Sequence, residues 1–516
     1  MKPNFRTILL AGLTAFGVSL VLTSCDKTIT EPVRPAYAPA DVDASAGTWK
    51  TYILTSPTAV TIASPAATTS TAYQTELTNL KNSSVNLSDK QRAAVEYWGA
   101  GAVYRWNEIA RELAAKYNLP PASNAEGKYP VPDANNPLAD PAFPFANPPY
   151  AARTLAYLSV AQYDALVAAW NYKYQFNRLA PSRIDAAVKP SLPVSALPSY
   201  PSEDAVVANA SYAILVAMFP GEVGYLAGKL AEHQWSRLWA GMNVQSDITA
   251  GADLGTQVGA RVMARARTDG MGAANNQTLT AGMIAAAKER GQSMVWESQE
   301  SPARPPMLPN YGAVGLWNFD RATLVKIRPG VAPQPGSEQF RKELEELQNI
   351  QKNQTREQAR IANYWADGAG SYTPPGHWHR YAANAAHDAK FSEVRMARTL
   401  ALLGTTLQDA GVCCWETKFY YYTPRPQQFG VKTSVGLPNF PSYTSGHSTF
   451  SGAAAEVLGY IFPNRANEFT AAAKEASESR VYGMIHFRSD CEVGLQCGKN
   501  IGSYAVLRGK ADGSGL

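Results

Sequence analysis

Apolar and polar residues alternate with a helical period over most of this chain. From about residue 88 onward apolar positions recur every three or four residues, as in 90–98 and the longer run 150–170. That spacing is typical of one face of an α-helix, and the two-residue alternation of strands is scarce. Pro-rich loops at about 119–149 and 301–336 interrupt the pattern, and a charged helix near 337–363 follows the second loop. The pattern predicts an all-α protein.

Identical residues also recur at a fixed distance in the two halves of the chain. Residues 152–156 read Ala-Arg-Thr-Leu-Ala, and the same five residues return 245 positions later. Further pairs at this offset are Asp164/Asp409, Trp170/Trp415, Lys173/Lys418 and Pro181/Pro426. After a shift of the offset to 243, the matches continue with Pro198/Pro441, Ser202/Ser445, Phe219/Phe462, Arg237/Arg480 and Asp247/Asp490. So many matches in register predict two tandem, pseudo-symmetric helical bundles that arose by internal duplication.

The duplication and the loops define the expected domains. We expect an N-terminal copy within residues 86–300 and a C-terminal copy within 337–516, joined by a Pro-rich linker at 301–336. Residues 25–85 begin with a stretch rich in Pro, Ala, Ser and Thr, a composition typical of a flexible tether.

The first residues have the pattern of a secretion signal. Lys2 and Arg6 precede an uncharged apolar run over 7–22, and the sequence Leu-Thr-Ser-Cys then ends at Cys25. This pattern predicts a lipoprotein signal peptide at 1–24 and lipidation of Cys25. The mature protein would be exported and anchored to a membrane, in the periplasm or on the cell surface. An uncleaved membrane anchor is the alternative, although the run is short for a bilayer span.

Composition narrows the function further. The chain of 516 residues has a net charge of +5 and no basic run, which argues against nucleic acid as a partner. Apart from Cys25 it has four cysteines, Cys413, Cys414, Cys491 and Cys497. In an exported protein this even number predicts one or two disulfides, with unpaired buried thiols as the alternative.

Three short segments in the last hundred residues supply the candidate chemistry. They are Lys418-x6-Arg425-Pro426, Ser445-Gly446-His447 and Ser479-Arg480-x5-His486-x3-Asp490. Lysine and arginine neutralise the oxygens of an oxyanion and donate charge-assisted hydrogen bonds. A Ser-Gly-His step at the start of a helix offers free amide groups, and the two imidazoles offer a covalent ligand and a proton carrier. Together these groups predict a buried site for a tetrahedral oxyanion such as phosphate or vanadate.

In this order the three segments resemble the signature of the vanadium-dependent haloperoxidase and type 2 phosphatidic acid phosphatase (PAP2) superfamily. Thr444 stands where that family usually has proline, a position that shapes a turn. The resemblance implies that His486 is the vanadium ligand or the phosphohistidine nucleophile, and that His447 is the general acid or base. It also implies which groups hold the equatorial oxygens of the anion: Lys418, Arg425, Ser445, Gly446 and Arg480. Asp490 would orient His486, or cap a helix, or do both.

The N-terminal copy serves as an internal control for these roles. It keeps the equivalents of Lys418, Ser445, Arg480 and Asp490, which therefore need a structural interpretation beside the catalytic one. Its substitutions are Ala180 for Arg425, Glu203-Asp204 for Gly446-His447, and Asn243 for His486. Two acids at these positions would repel an oxyanion, so we expect the site in the C-terminal copy alone.

Two reactions are compatible with such a site. Trp415 and Phe440 stand at offsets that resemble the haloperoxidase branch, where aromatic residues line the halide side of vanadate. They favour peroxide-driven halide oxidation with vanadate as cofactor. Hydrolysis of phosphomonoesters is the alternative reaction. A third possibility is a tethered binding protein without enzymatic activity. His377 and His379, in a Pro-Pro-Gly-His-Trp-His segment without an expected N-terminal counterpart, either shape the site entrance or lie on the surface.

Overall fold

The computed structural model describes residues 34–120, 122–129 and 145–515. The signal peptide, Cys25 and the middle of the first Pro-rich loop lie outside these ranges. Within them the regular structure is helical and no strand is found, which confirms the all-α prediction. The α-helices are α1 Thr71–Ser83, α2 Asp89–Gly99, α3 Ala102–Tyr117, α4 Pro148–Phe176, α5 Pro181–Ile184, α6 Glu203–Met218, α7 Val223–Trp239, α8 Gln245–Ala266, α9 Thr280–Glu289, α10 Arg321–Ile327, α11 Glu338–Asn353, α12 Arg356–Tyr364, α13 Thr373–Asp388, α14 Glu393–Tyr421, α15 Gly446–Ile461, α16 Ala466–Tyr482 and α17 Arg488–Lys510.

Short 3-10 helices fill several connections between these elements. They are Ala44–Thr48, Pro57–Ala59, Pro220–Glu222, Met271–Ala273, Gln277–Leu279, Tyr311–Ala313, Pro426–Phe429 and Pro463–Arg465.

The helices follow the duplication seen in the sequence. Helices α4 and α14 each have 29 residues, α6 and α15 each have 16, and α7 and α16 each have 17. The packing repeats as well, because α6 lies on α8 as α15 lies on α17. The two long helices α4 and α14, which are buried over most of their length, pack against each other and join the copies.

The repeat begins earlier in the chain than the identical residues indicate. Helices α2 and α12 both start with a capping box, made by Ser88 and Gln91 in one copy and by Thr355 and Gln358 in the other. Both are followed by a 16-residue helix, α3 or α13. His377 and His379 lie on α13, the counterpart of α3, and both are buried. The expectation that the segment has no counterpart is therefore wrong, and so is the alternative that its histidines lie on the surface.

Residues predicted to be a tether and a linker are packed segments. The backbone N–H groups of residues 52–54 donate to the buried carboxylate of Asp164 at 2.7–3.0 Å. The N–H groups of Trp317 and Asn318 donate to Asp409, the equivalent of Asp164, at 2.8 and 3.0 Å. We call residues 35–60 and 301–320 the first and second strap. The content of Pro, Ala, Ser and Thr suggested a flexible tether for the first strap. Buried aspartates on α4 and α14 instead hold both straps in place, and Pro35–Leu516 is one compact unit.

Candidate active site

Three helices, a loop and a turn of the C-terminal copy bring the predicted residues together. Helix α14 carries Lys418 near its end, and the loop that follows carries Arg425. Helix α15 begins with Gly446, and α16 carries Arg480 in its last turn. His486 lies in the short turn before α17. Burial lowers the pKa of His486 well below its usual value, and the nearby charges of Arg425, Lys418 and Arg480 lower it further.

Lys418 and Arg425 are completely buried and hydrogen-bond to backbone carbonyls. Lys418 Nζ donates to the carbonyls of Pro441 and Ser442 at 2.9 and 2.6 Å. Arg425 donates from Nε to the carbonyl of Phe440 and from a terminal nitrogen to that of Ile485, both at 2.7 Å. Burial lowers the pKa of Lys418 to about 8 and that of Arg425 to about 9. Their positive charge is therefore disfavoured in the protein without an anion.

Arg480 is held in the same way from the other side. Its Nε donates to Ser479 Oγ at 2.8 Å, and a terminal nitrogen donates to the carbonyl of Trp365 at 2.6 Å. Burial lowers its pKa to about 10. Among the described residues, no carboxylate oxygen lies within 4.0 Å of a charged nitrogen of Lys418, Arg425 or Arg480. Three buried cations without a paired carboxylate are a site for an external anion.

His486 is oriented by Asp490. The Nδ1 atom lies 2.9 Å from Asp490 Oδ2 and 3.3 Å from Ser442 Oγ, while Nε2 faces a terminal nitrogen of Arg425 at 3.5 Å. Because the carboxylate accepts from Nδ1–H, the lone pair is on Nε2, as a covalent ligand or nucleophile requires. Asp490 also accepts from the N–H of Phe487 at 3.2 Å, so it caps α17 from the third helical position. Both expected roles of Asp490 are present.

The start of α15 provides neutral donors. Ser445 is the N-cap, and its Oγ accepts from the N–H of Ser448 at 3.3 Å, which leaves the hydroxyl hydrogen for another acceptor. A Cβ atom on Gly446 would meet Trp415 alone, at 3.8 Å, so there is open space beside the first amide of the helix. Helix N-termini favour anions through their free N–H groups and the helix dipole.

His447 lies at the edge of the site and is half-buried. Its Nε2 atom is 3.9 Å from Asp367 Oδ2 and has no hydrogen-bond partner among the described residues. Burial, and then the charge of Arg480, lower the pKa of His447 well below its usual value. A neutral imidazole with a free nitrogen can accept a proton. His377 contacts Asp367, whereas His379 lies elsewhere, with Nδ1 3.0 Å from Asn107 Nδ2.

Trp415 and Phe440 form an aromatic wall beside the cations. Their ring centroids are 4.9 Å apart. Lys418 Nζ and Arg425 Cζ lie 5.1 and 5.0 Å from the centroid of Phe440, within the range of cation–π attraction. The structure places both aromatic residues, which the sequence offsets singled out, beside Lys418 and Arg425; a halide site there stays a prediction.

The N-terminal copy pairs its cations with internal carboxylates. Lys173, the equivalent of Lys418, lies 2.6 Å from Glu203, and Arg237, the equivalent of Arg480, lies 3.6 Å from Asp204. These acids replace Gly446 and His447. Arg178 pairs with Asp247 in the same way. The carboxylates occupy the places where the C-terminal copy leaves its cations unpaired.

The predicted disulfides are not formed. Cys413, Cys414, Cys491 and Cys497 are all buried free thiols. Burial raises the pKa of Cys491 and of Cys497 to about 12, so both are protonated. Cys491 packs in a hydrophobic cluster with Phe340 and Phe487, where a small apolar side chain is what the packing requires.

Comparisons with known proteins identify a family for part of the chain and a similar fold. The PAP2 superfamily model matches residues 398–506. A crystal structure of a bacterial vanadium-dependent iodoperoxidase is similar, with a TM-score of 0.55 and 22% identity, over 70% of this chain and 91% of that chain. A bacterial vanadium-dependent chloroperoxidase in its holo form has a TM-score of 0.50 and 12% identity, over 77% of this chain and 99% of that chain. Similarity at these identities establishes the fold. No curated protein matches the sequence significantly. Family and fold together indicate an enzyme of the haloperoxidase or phosphatase type.

Proposed function

We propose that this chain, whose residues 398–506 belong to the PAP2 superfamily, is a vanadium-dependent haloperoxidase-like enzyme that holds vanadate at His486 and uses peroxide to oxidise halide. One observation carries the proposal. Lys418, Arg425 and Arg480 are buried without a paired carboxylate around an imidazole whose Nε2 is available.

The residues present fit vanadate. It is a tetrahedral oxyanion, and the site offers three cations, the Ser445 hydroxyl and the open space at Gly446. The cations and these two groups would hold its oxygens, and His486 Nε2 would bind vanadium. When bound, vanadate supplies the electrophilic centre that activates peroxide for halide oxidation.

The chain's own residues then have distinct tasks. Asp490 keeps the proton of His486 on Nδ1, so that Nε2 stays available. His447 accepts a proton from peroxide as it binds and returns it to the departing oxygen, because its Nε2 is unpaired and its neutral form is favoured. The buried cations stabilise charge that develops on the oxygens, in a site where few water molecules compete.

Phe440 supports the peroxidase over the phosphatase. Trp415 has an equivalent in the N-terminal copy, Trp170, and is therefore a weak indicator. Phe440 is replaced there by Leu197. In the C-terminal copy Phe440 is half-buried against Trp415 and both cations, which gives the site an aromatic side where a weakly hydrated halide can lie.

Phosphomonoester hydrolysis is the second candidate, and the His486–Asp490 pair favours it. His486 Nε2 would attack phosphorus while the bond to the ester oxygen breaks. His447, in its protonated form, would give a proton to that departing oxygen, which leaves as the alcohol. Water would then hydrolyse the phosphohistidine, with His447 accepting a proton from the water.

A paired assay on the purified protein tests the proposal. We expect vanadate, peroxide and iodide or bromide to give halogenation of a phenolic reporter, lost on chelation of vanadate and inhibited by phosphate. Release of phosphate from a phosphomonoester, without halogenation, would replace the first function with the second. If the protein binds phosphate but has neither activity, it is a tethered binding protein.

Export and lipid anchoring at Cys25 are part of the proposal, supported by residues 2–25 of the sequence. Among the described residues, no helix combines the length and the apolar character that a bilayer span needs. Metabolic labelling with a fatty acid should mark the wild-type protein and fail to mark Cys25→Ala. Labelling of both proteins would contradict lipidation at this cysteine.

A further inference from the structure

A carboxylate lies between two imidazoles at the edge of the site. Asp367, in the loop between α12 and α13, has Oδ1 3.1 Å from His377 Nδ1. Its other oxygen is 3.9 Å from His447 Nε2. One acid therefore connects His447, on α15, to a histidine that the oxyanion chemistry leaves unused.

Asp367 is fixed and negatively charged. Its backbone has a φ of 43°, in the left-handed region, and its side chain is 6% exposed. Burial raises the pKa of this carboxyl, but His377, followed by His447 and Arg480, outweighs burial and holds the pKa below its usual value. A rare backbone conformation that the surrounding structure maintains is a feature of functional sites.

His377 is fully buried, yet one of its nitrogens is unpaired. The ring stacks on Trp365 with centroids 4.5 Å apart, Nδ1 bonds to Asp367, and Nε2 has no partner among the described residues. In the N-terminal copy, His233 stacks on Trp98 in the same manner at 4.0 Å. Both nitrogens of His233 are paired there, with Trp106 and Asp204.

Comparison of the two copies separates the stacked ring, which serves packing, from the pair of Asp367 and His377. A stacked imidazole occurs in both copies, so the stack serves packing. In the alignment that pairs Trp98 with Trp365, the equivalent of Asp367 is Ala100. Helix α3 aligned with α13 places Trp106 at the position of His377. At these two positions, a carboxylate and a histidine therefore occur together only in the copy that has the oxyanion site. In the N-terminal copy the stacked His233 instead bonds to Asp204, which stands at the position of His447.

We propose that Asp367 and His377 are positioning residues for His447. His377 holds the carboxylate of Asp367 in place, and this carboxylate stabilises the protonated form of His447. This inference rests on the proposed function, because it assigns a task to the same general acid. The charged and titratable groups that face His447 are Arg480 from α16, His377 from α13, Asp367 from the loop, and His486 from the turn before α17. Among these, Asp367 carries the negative charge that offsets Arg480.

The test uses Asp367→Asn in the full chain. Asparagine tolerates a positive φ and keeps the size of the side chain, so the fold is retained. The protein has six histidines, and NMR titration of their ring protons, with and without inorganic phosphate, gives the pKa of His447 once His447→Gln assigns its signal. We expect the variant to lower this pKa by about one unit or more, since an opposite charge at this distance is lost. Turnover should fall about tenfold, and the acidic limb of its pH profile should move to lower pH.

Variants of His377 test the second member of the pair. His377→Leu should reproduce part of the Asp367→Asn effect, and His377→Asn, which can donate from nearly the position of Nδ1, should restore it. His233→Leu is the matched control, because it removes the equivalent stacked ring. It should lower stability and leave the titration of His447 unchanged.

The outcomes are distinguishable from failure of the proposed function. If Asp367→Asn shifts the titration of His447 while neither activity is found, the pair is supported and the function is wrong. If activity is present but the titration and the pH profile are unchanged, the inference is overturned. It is also overturned if His447 stays neutral over the accessible pH range in both proteins.

Discussion

The two copies place the same cations in the same frame and compensate their charge differently. In the N-terminal copy Lys173 lies 2.6 Å from Glu203, and Arg237 lies 3.6 Å from Asp204. In the C-terminal copy their equivalents Lys418 and Arg480 bond to backbone carbonyls. In the N-terminal copy, carboxylates of the chain itself neutralise the cations. In the C-terminal copy, the cations are left to bind an anion from solution.

This difference shows which residues indicate a function. A lysine, a serine, an arginine and an aspartate are common to both copies, so they belong to the frame. The informative change is the replacement of two carboxylates by Gly446 and His447, which removes the internal anion and opens space for an external one. A buried cation without a partner is costly, and a ligand that pairs with it recovers that cost.

Removal of the central imidazole should have the largest effect. We expect His486→Ala to lower either activity by about 10³-fold or more, because the covalent ligand or nucleophile is lost. Its matched control is Asn243→Ala, at the equivalent position of the N-terminal copy, which should leave activity unchanged. Steady-state kinetics with circular dichroism checks both. Equal losses in the two variants would mean that the copies share the chemistry.

The second prediction converts one copy into the other. In Gly446→Glu with His447→Asp, the new acids should pair with Lys418 and Arg480 as Glu203 and Asp204 pair with their cations. Phosphate affinity should fall about 100-fold or more, because charge-assisted hydrogen bonds to the anion are lost. The free energy of unfolding should rise by about 1 kcal/mol or more as buried cations gain partners.

Calorimetry and thermal unfolding measure these two effects. The reverse pair, Glu203→Gly with Asp204→His, should destabilise the protein and leave phosphate affinity at the C-terminal copy unchanged. Undiminished phosphate binding by the first double variant would show that unpaired charge does not define the site.

The third prediction concerns pH. Burial lowers the pKa of Lys418 to about 8, below that of the unfolded chain. Below pH 8 the ammonium is already charged and anion affinity is constant. Above pH 8 binding requires uptake of a proton, so the affinity for sulfate, which does not titrate in this range, should fall up to tenfold per pH unit. Lys418→Met should abolish the dependence between pH 8 and 9, above which Arg425, with a pKa lowered to about 9, also loses its charge. A flat profile for the wild type would contradict the prediction.

The smallest expected effect comes from the aromatic wall. Phe440→Leu introduces the residue of the N-terminal copy, Leu197, and removes the cation–π contacts with Lys418 and Arg425. At about 0.5–1 kcal/mol each, the two contacts predict a loss of phosphate affinity of roughly fivefold to thirtyfold. Titration calorimetry resolves such a change. Trp415→Leu removes the neighbouring ring and leaves the contacts of Phe440 with the two cations. A larger loss of phosphate affinity in Trp415→Leu would mean that the aromatic wall acts through packing.

The sequence predicted the all-α fold, the duplication and the cationic site because these depend on local period and on identical residues. It did not predict the pairing of Asp367 with His377, because identities between the copies fade before residue 152. Tyr97-Trp98 and Tyr364-Trp365 carry a signal that could have extended the repeat. The disulfides were predicted wrongly, since residue count says nothing about whether buried thiols face one another.

The straps have a consequence for the order of synthesis. Each strap precedes the long helix whose aspartate holds it, the first ahead of Asp164 and the second ahead of Asp409. During synthesis on the ribosome, each strap has therefore already emerged when the long helix that holds it is made. Either long helix can bury its carboxylate without waiting for sequence that is still to come.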